Sequence, residues 1–560
     1  MSDLLKITNL KIEAVRENQT KEIIKGIDLT LKRGEVLGLI GESGAGKSTI
    51  GLAAMGYCRS GCRIVPSSSI IFDGFEIMTA TLAEKQKLRG TKIAYVAQSA
   101  AAAFNPAHKL IRQYTEGPIR HGIKSYTEAK KEAQELYKKI LLPDPDNIGY
   151  RYPHQVSGGQ LQRAMVAMAM ACKPDIIVFD EPTTALDVTT QIEVLAAIKK
   201  VTRELNTAAL YITHDLAVVM QLADRIMVLR HGSLVEEGTS KQLLEAPQEE
   251  YTRDLLSVRT FQKQVQEPGE DKTPILEVQN LTASYRKNTP DVLKDINLKI
   301  TRGKTIAIVG ESGSGKTTLA RAIIGLMNPK KGKILYRGKE LPYALKRRTK
   351  DELRHLQMIY QLPDIALNPR QRIQRILGRP LEFYFDMKRS QRKKRVKELL
   401  DMVELPAKFI NRFPPELSGG EKQRICIARA LAAKPEIIIC DEVTSALDQL
   451  VAEEVLKLLQ NLQDELKVTY LFITHDLATV KAIADEIVVM LLGSIVEQGP
   501  REIVFNPPHH EYTELLLSSV PEMKIDWLDK LLKSRKEKEM ENDKGKRNHD
   551  IESCLAVNET

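Results

Sequence analysis

Gly38 to Thr49 reads GLIGESGAGKST, and Ala307 to Thr318 reads AIVGESGSGKTT. Each begins as a short apolar run, closes on a glycine and continues as GxxxxGK[ST]. The glycines let successive backbone N–H groups face an anion, and the lysine reaches toward phosphate oxygens. One such match can be accidental. Two, each behind a strand-like run, predict a P-loop domain that occurs twice. Other segments repeat in the same order: VSGGQLQR (Val156 to Arg163) with LSGGEKQR (Leu417 to Arg424), DIIVFDEPTTALD (Asp175 to Asp187) with EIIICDEVTSALD (Glu436 to Asp448), and YITHDLAVV (Tyr211 to Val219) with FITHDLATV (Phe472 to Val480). The spacing from Ser157 to Asp180 equals that from Ser418 to Asp441, and Asp180 to His214 equals Asp441 to His475.

The repeat sets the expected boundaries: a first domain over residues 1–261, a linker over 262–274, a second domain over 275–520 and a charged tail over 521–560. The linker QKQVQEPGEDKTP is polar and holds Pro and Gly. The tail carries few apolar residues and is expected to lack order beyond a short helix around Trp527 to Leu532. The fold class read here is α/β. Val36 to Ile40, Ile176 to Phe179 and Leu210 to Ile212, with their second copies, are continuous apolar runs of strand length alternating with helical stretches. That pattern predicts a parallel-sheet core, with ligands gathering at the carboxyl ends of its strands.

Composition sets limits on the rest. The 560 residues are 42% hydrophobic and 28% charged, as in an ordinary globular protein. No apolar run approaches bilayer length, and MSDLLKITNL lacks the basic start and apolar stretch of a signal peptide, so a cytosolic position is expected. The 83 Lys and Arg against 73 Asp and Glu give a charge of +10. The densest basic cluster spans Lys388, Arg389, Arg392, Lys393, Lys394, Arg395 and Lys397. No stacking aromatics or recognised reading module accompany it, so it reads as the solvated face of a helix whose apolar side is Val396, Leu399, Leu400 and Val403. No nucleic-acid partner is expected. The scattered cysteines, none in a CxxC pair, read as reduced thiols.

The motifs define the candidate site. Lys47 and Lys316 are placed for the β- and γ-phosphates of ATP, and Ser48 and Thr317 offer hydroxyls to Mg²⁺. The loop backbones, Gly41, Glu42, Ser43, Gly44, Ala45, Gly46 and Thr49 in the first copy and Gly310, Glu311, Ser312, Gly313, Ser314, Gly315 and Thr318 in the second, are candidate nucleotide contacts. Asp180 and Asp441 end their strands, where a carboxylate can hold Mg²⁺. The adjacent Glu181 and Glu442 can polarise an attacking water, and His214 and His475 can bond a γ-phosphate. Ser157, Gly158, Gly159 and Gln160, with Ser418, Gly419, Gly420 and Glu421, open helices whose N-terminal N–H groups can clamp a second phosphate surface.

Taken together, these motifs resemble the nucleotide-binding domains of ABC transporters over nearly the whole chain up to the tail. The resemblance implies two tandem P-loop NTPase domains, each with a parallel-sheet core and a helical subdomain. It also implies ATP hydrolysis with Mg²⁺. Gln98 in YVAQS and Gln361 in MIYQL fit the family's Q-loop glutamine, a nucleotide and metal contact, and Asp187 and Asp448 fit its D-loop. A head-to-tail sandwich follows from the same resemblance, with Lys47 working beside Ser418 and Lys316 beside Ser157.

A narrower resemblance is to the oligopeptide/dipeptide/nickel importer branch. It rests on Asn105–Pro106 and Asn368–Pro369–Arg370 after the Q-loops, on YPHQVSGG (Tyr152 to Gly159), and on Pro247, Tyr251, Thr252 and Leu255 with Pro508, Tyr512, Thr513 and Leu516, similar to a PxxxYTxxLL ending. That branch implies an ATPase powering import of peptides or related solutes, such as nickel chelates or glutathione. Implied partners are two integral-membrane permease subunits on separate chains and, indirectly, an extracytoplasmic solute-binding protein. The permeases' coupling helices would dock in grooves beside Gln98 and Gln361. The implied location is the cytoplasmic face of the inner membrane, peripherally attached. The rival is a soluble twin-cassette protein acting on ribosomes or nucleic acid. Against it stand the short linker, the NP elements and the YTxxLL endings.

Three departures from the family pattern occur. Glu421 stands where the signature has Gln, and Val443 where the first copy has Pro182. Tyr285 in NLTASY fits the adenine-stacking aromatic, but the first copy reads NLKIEA and places Ala14 there; Met1 to Glu42 contains no Phe, Tyr or Trp. Arg16 is the candidate substitute. Stacking contributes about 1 kcal/mol, so the first loop is expected to bind ATP several-fold more weakly than the second. Site-resolved titration measures this, and equal affinities would contradict it.

Overall fold

The computed structural model describes residues 3–16, 19–184, 186–257, 273–286 and 289–537. The chain divides into two compact units: Met1–Leu186 with Thr190–Leu256 and Pro521–Thr560, and Asp187–Thr189 with Ser257–Val520.

Each unit is built on a six-stranded sheet of one order. In the first unit it runs Ser233–Thr239, Arg225–Arg230, Val36–Gly41, Ala208–Ile212, Ile176–Asp180, Ile93–Val96. In the second it runs Ser494–Pro500, Glu486–Leu491, Thr305–Val309, Thr469–Ile473, Ile437–Asp441, Leu356–Ile359. All neighbours pair parallel except the edge hairpin. The central strands are apolar throughout because both faces are covered. Every residue of Ile176–Asp180, Ala208–Ile212, Ile437–Asp441 and Thr469–Ile473 is buried.

A second, antiparallel sheet joins each unit, one that the reading of a parallel core did not include. In the first unit Asp3–Arg16 pairs with Gln19–Lys32 and with Ser69–Phe72. In the second, Pro274–Ala283 pairs with Leu293–Thr301 and Lys331–Tyr336. The first copy carries one extra strand, Cys62–Ile64, laid along Ile12–Ala14.

Helices fill the interval between the Q-loop strand and the strand ending in aspartate. They are Leu110–Arg120, Tyr126–Lys139 and Gly158–Met170 in the first unit, and Ile373–Phe385, Arg389–Met402 and Gly419–Leu431 in the second. The basic cluster lies on Arg389–Met402, and Val396, Leu399 and Leu400 on its other face are fully buried. Among the described residues no helix is long and apolar enough to cross a membrane.

The linker expected over 262–274 lies outside the described residues except for Thr273 and Pro274, and Pro274 opens a strand. Of the tail, residues 521–537 are described. Pro521 returns the chain to the first unit, and a helix covers residues 527–537. Gln221, 4% exposed, holds it: its Nε2 donates to the carbonyls of Glu522 and Lys524 (both 3.0 Å), and its Oε1 accepts from the Leu528 N–H (3.1 Å). Leu528 is fully buried, and Lys199 pairs with Asp529 at 2.8 Å. The helix expected around Trp527 to Leu532 is present and runs on to 537, and an apolar anchor and a satisfied buried amide hold it. Residues 538–560 lie outside the described residues.

Candidate functional site: two phosphate loops and their carboxylates

The parallel strands end on one edge of each sheet, and the predicted motifs collect there. Val36–Gly41 delivers the first loop and Thr305–Val309 the second. Gly41 and Gly310 have φ of 145° and 146°, and a Cβ on either would meet a backbone carbonyl oxygen, of Leu229 at 2.0 Å and of Met490 at 2.2 Å. Only glycine fits at that crossing. Lys47 and Lys316, 5% and 6% exposed, turn back over the loops. Lys47 Nζ donates to the carbonyls of Gly41 (2.7 Å) and Glu42 (2.9 Å), and Lys316 Nζ to those of Gly310 (2.7 Å) and Glu311 (2.8 Å). Burial pulls the Lys316 ammonium below its usual range, opposed by the charge of Glu442.

Behind each loop stands the aspartate. Ser48 Oγ donates to Asp180 Oδ1 at 2.7 Å, and Thr317 Oγ1 to Asp441 Oδ1 at 3.1 Å. Burial pushes the Asp441 carboxyl up despite the hydrogen bond from Thr317. In the first unit Tyr95 also donates its hydroxyl to Asp180 Oδ2, whereas Met358 stands at that place in the second. Tyr95 is not among the residues that the motifs single out. Its signal, a phenol three residues before the Q-loop glutamine, gains meaning only once the neighbouring strand is known.

The adjacent glutamates sit in left-handed backbone, φ 49° at Glu181 and 51° at Glu442. A non-glycine residue held there marks a position fixed by its surroundings. The N–H of Glu181 donates to the Ile212 carbonyl and that of Glu442 to the Ile473 carbonyl, both at 2.9 Å. Three side chains then converge on the Glu181 carboxylate: Gln98 Nε2 at 3.0 Å, Thr184 Oγ1 at 3.2 Å and His214 Nδ1 at 3.4 Å. In the second unit Gln361 Nε2 lies at 2.6 Å from Glu442 and His475 Nδ1 at 3.4 Å. Gln98 and Gln361, expected among the nucleotide and metal contacts, donate their NH₂ groups to the glutamates, which leaves each amide oxygen, the atom a cation would use, as an acceptor.

Burial works against charge on both members of each pair. The hydrogen bond and attraction between them outweigh it, so Glu181 and Glu442 are lowered and His214 and His475 raised. The histidine's share of stability is full below its unfolded value and fades as pH rises through the raised folded value. The glutamate's share is full above its unfolded value and fades as pH falls through the lowered one. Each pair therefore contributes most between the ordinary glutamate and histidine ranges.

The signature serines are helix caps. Ser157 Oγ accepts from the Gln160 N–H (3.3 Å), and Gln160 Oε1 accepts from the Ser157 N–H (3.2 Å). Ser418 and Glu421 make the same reciprocal pair at 3.3 and 2.7 Å. An amide oxygen and a carboxylate oxygen accept equally well here, which explains why Glu421 stands in place of Gln. Gly159 and Gly420 allow close packing, since a Cβ would lie 1.9 Å from Thr190 Cγ2 and 2.4 Å from Val451 Cγ1.

Tyr285 is 61% exposed, and its hydroxyl lies 2.9 Å from Thr318 Oγ1, beside the second loop. Ala14 lies in the strand covered by Cys62–Ile64, and the side chain of Arg16 is outside the described residues. The NP asparagines shape the turn after the Q-loop: Asn105 Oδ1 accepts from the Ala107 N–H (3.0 Å) and Asn368 Oδ1 from the Arg370 N–H (2.9 Å). Next to the first of these turns lies a groove of about 910 Å³ lined by His108, Lys109, Arg112, Tyr126, Tyr150 and Tyr152.

The ABC transporter family pattern matches residues 24–184 and 293–445, and the oligopeptide/dipeptide transporter C-terminal region matches residues 496–550. The glutathione import ATP-binding protein GsiA of Escherichia coli O6:H1 is 36% identical over 558 residues, covering 93% of this chain and 90% of that protein. GsiA of Salmonella typhimurium gives the same identity and coverage. Among solved structures, cbiO1 from Clostridium perfringens aligns with 42% of this chain and 91% of its own at 30% identity and a TM-score of 0.38. The dimeric bacterial cassette MJ0796 aligns with 40% and 98% at 30% identity and a TM-score of 0.36.

The paired shifts can be read directly. In Glu181→Gln, the His214 imidazole is expected to titrate at a lower pH than in the parent while His475 stays in place, and Glu442→Gln should do the reverse. Histidine NMR titration checks both, and an unmoved His214 would show that Glu181 does not set its charge.

Proposed function

We propose, because this chain belongs to the ABC transporter family of ATP-binding proteins, that it powers an importer for peptides or a related small solute such as glutathione. It is an ATPase that carries the cassette twice in one chain. The convergence of a glutamine and a histidine on Glu181, repeated on Glu442, is the observation that carries the catalytic assignment.

In this reading Lys47 and Lys316 bind the β- and γ-phosphates, and the loop N–H groups hold the phosphate chain in line. Glu181 and Glu442 orient and polarise the attacking water by accepting a hydrogen bond from its O–H. Their lowered pKa keeps them ionised, and Gln98, Gln361, His214 and His475 fix their direction. His214 and His475 face the γ-phosphate side as donors. Tyr285 stacks on the adenine of the second site. Ser48 with Asp180, and Thr317 with Asp441, offer the hard oxygen donors that suit Mg²⁺, which when bound would neutralise developing phosphate charge.

Two permease subunits on other chains complete the transporter in this proposal, and the ATPase lies on the cytoplasmic face of the membrane. The groove beside Asn105 has the size and mixed aromatic and basic lining to receive a permease helix. The solute class rests on the C-terminal region shared with oligopeptide/dipeptide transporters and on the glutathione import relatives. The ribosome or nucleic-acid alternative finds no support among these relatives.

Replacing both glutamates, Glu181→Gln with Glu442→Gln, should lower ATP turnover by roughly 10²–10⁴ while ATP binding persists. Steady-state phosphate release checks it. Turnover equal to the parent would remove the glutamates from the chemistry.

A further inference from the structure

The PxxxYT elements are a family likeness for which the proposed chemistry has no task. Each tyrosine nevertheless ends inside a phosphate loop. Tyr251 lies on the helix Glu250–Ser257 and is 6% exposed, and its hydroxyl accepts from the backbone N–H of Glu42 at 3.2 Å. Tyr512 lies on Glu511–Ser518 and is 7% exposed, and its hydroxyl accepts from the N–H of Glu311 at 2.8 Å. The contact spans about 200 residues in both copies and arises independently in each unit.

The N–H of Glu42 and the C=O of Gly41 belong to one peptide group. That group is rigid and trans, so its N–H and C=O point in opposite directions. Tyr251 holds the N–H end. Lys47 Nζ holds the C=O end at 2.7 Å. The Gly310–Glu311 peptide is gripped in the same way by Tyr512 and Lys316, the latter at 2.7 Å. Glycine leaves this peptide the freedom to rotate, and the left-handed φ it adopts there is one that other residues resist. A lysine that moves from the carbonyl to a phosphate releases one end of the peptide, and the tyrosine is what retains the other.

We propose that Tyr251 and Tyr512 are positioning residues that fix the Gly41–Glu42 and Gly310–Glu311 peptides, and with them the direction of the phosphate loops. Burial pushes both phenols above their usual range, and the hydroxyl oxygen of each accepts from the loop N–H. The support behind the ring differs between copies. Arg230 lies over the Tyr251 ring, 4.6 Å from its centroid, and 3.8 Å from the Glu42 carboxylate, whereas Leu491 occupies that strand end in the second unit. The shared element is the hydroxyl.

The inference rests on the reading of Lys47 and Lys316 as phosphate ligands. It predicts a loss of substrate binding made equally before and during the reaction, which appears in KM and leaves kcat alone. In the full chain, Tyr251→Phe with Tyr512→Phe removes two oxygens and keeps both rings. KM for ATP should rise about three- to tenfold, the effect of a lost hydrogen bond at each loop, with kcat retained. The same pair placed in the Glu181→Gln, Glu442→Gln chain should weaken equilibrium ATP binding by the same factor, without any contribution from turnover. An unchanged KM and Kd, or a fall in kcat with KM unchanged, would overturn the proposal. A parent chain that neither bound nor hydrolysed ATP would instead overturn the phosphate-loop reading beneath it.

Discussion

A lysine ammonium taken out of water must be received by oxygen, and each half of this protein is organised around meeting that demand at Lys47 or Lys316. The carbonyls that receive it belong to the strand end and to the first residue of the loop. For those carbonyls to turn inward, the strand must stop on a glycine at φ near 145°, packed so closely on the neighbouring strand that no side chain could be added. The neighbouring strand must be parallel and buried, and so must those beyond it. The continuous apolar runs of the sequence follow from this requirement, as does the clustering of every polar motif at one sheet edge.

The glutamates answer a second constraint. Glu181 and Glu442 follow buried strands but must leave the sheet at once, and a left-handed backbone is the shortest way to do so. The bonds to the Ile212 and Ile473 carbonyls hold that turn, and the glutamine and histidine side chains hold the carboxylate. Neutralisation by histidine and donation by glutamine keep a largely buried carboxylate ionised. The same environment would be wasteful for a carboxylate that merely ended a strand.

Much of this was legible in the sequence. The repeat, the sheet core, the loops, the aspartate–glutamate pairs and the histidines all carry local patterns, and equal spacing in two copies removed the ambiguity of each alone. What escaped depends on contacts between distant residues. Tyr95 meets Asp180 on the neighbouring strand, Tyr251 meets Glu42 from the far end of its unit, and Gln221 supplies the anchor of a tail helix whose presence, but not whose attachment, was expected. The antiparallel sheet was within reach: Leu5, Ile7, Leu10 and Ile12 are all buried, but a register shift between Ile7 and Leu10 interrupts the alternation that would have announced a strand. Gln98 shows a different limit, since its place was found but its hydrogen bond to Glu181 was not. Spacing identifies which side chains arrive at a site, and only the packed geometry shows which atoms they address.

The central claim is that each half holds a complete and separate phosphate loop. The most direct test is the number of ATP molecules bound per chain at saturation in the Glu181→Gln, Glu442→Gln protein, where turnover does not deplete the ligand. Two per chain is the predicted result, falling to one in either Lys47→Ala or Lys316→Ala. One per chain in the protein with both lysines intact would contradict the account.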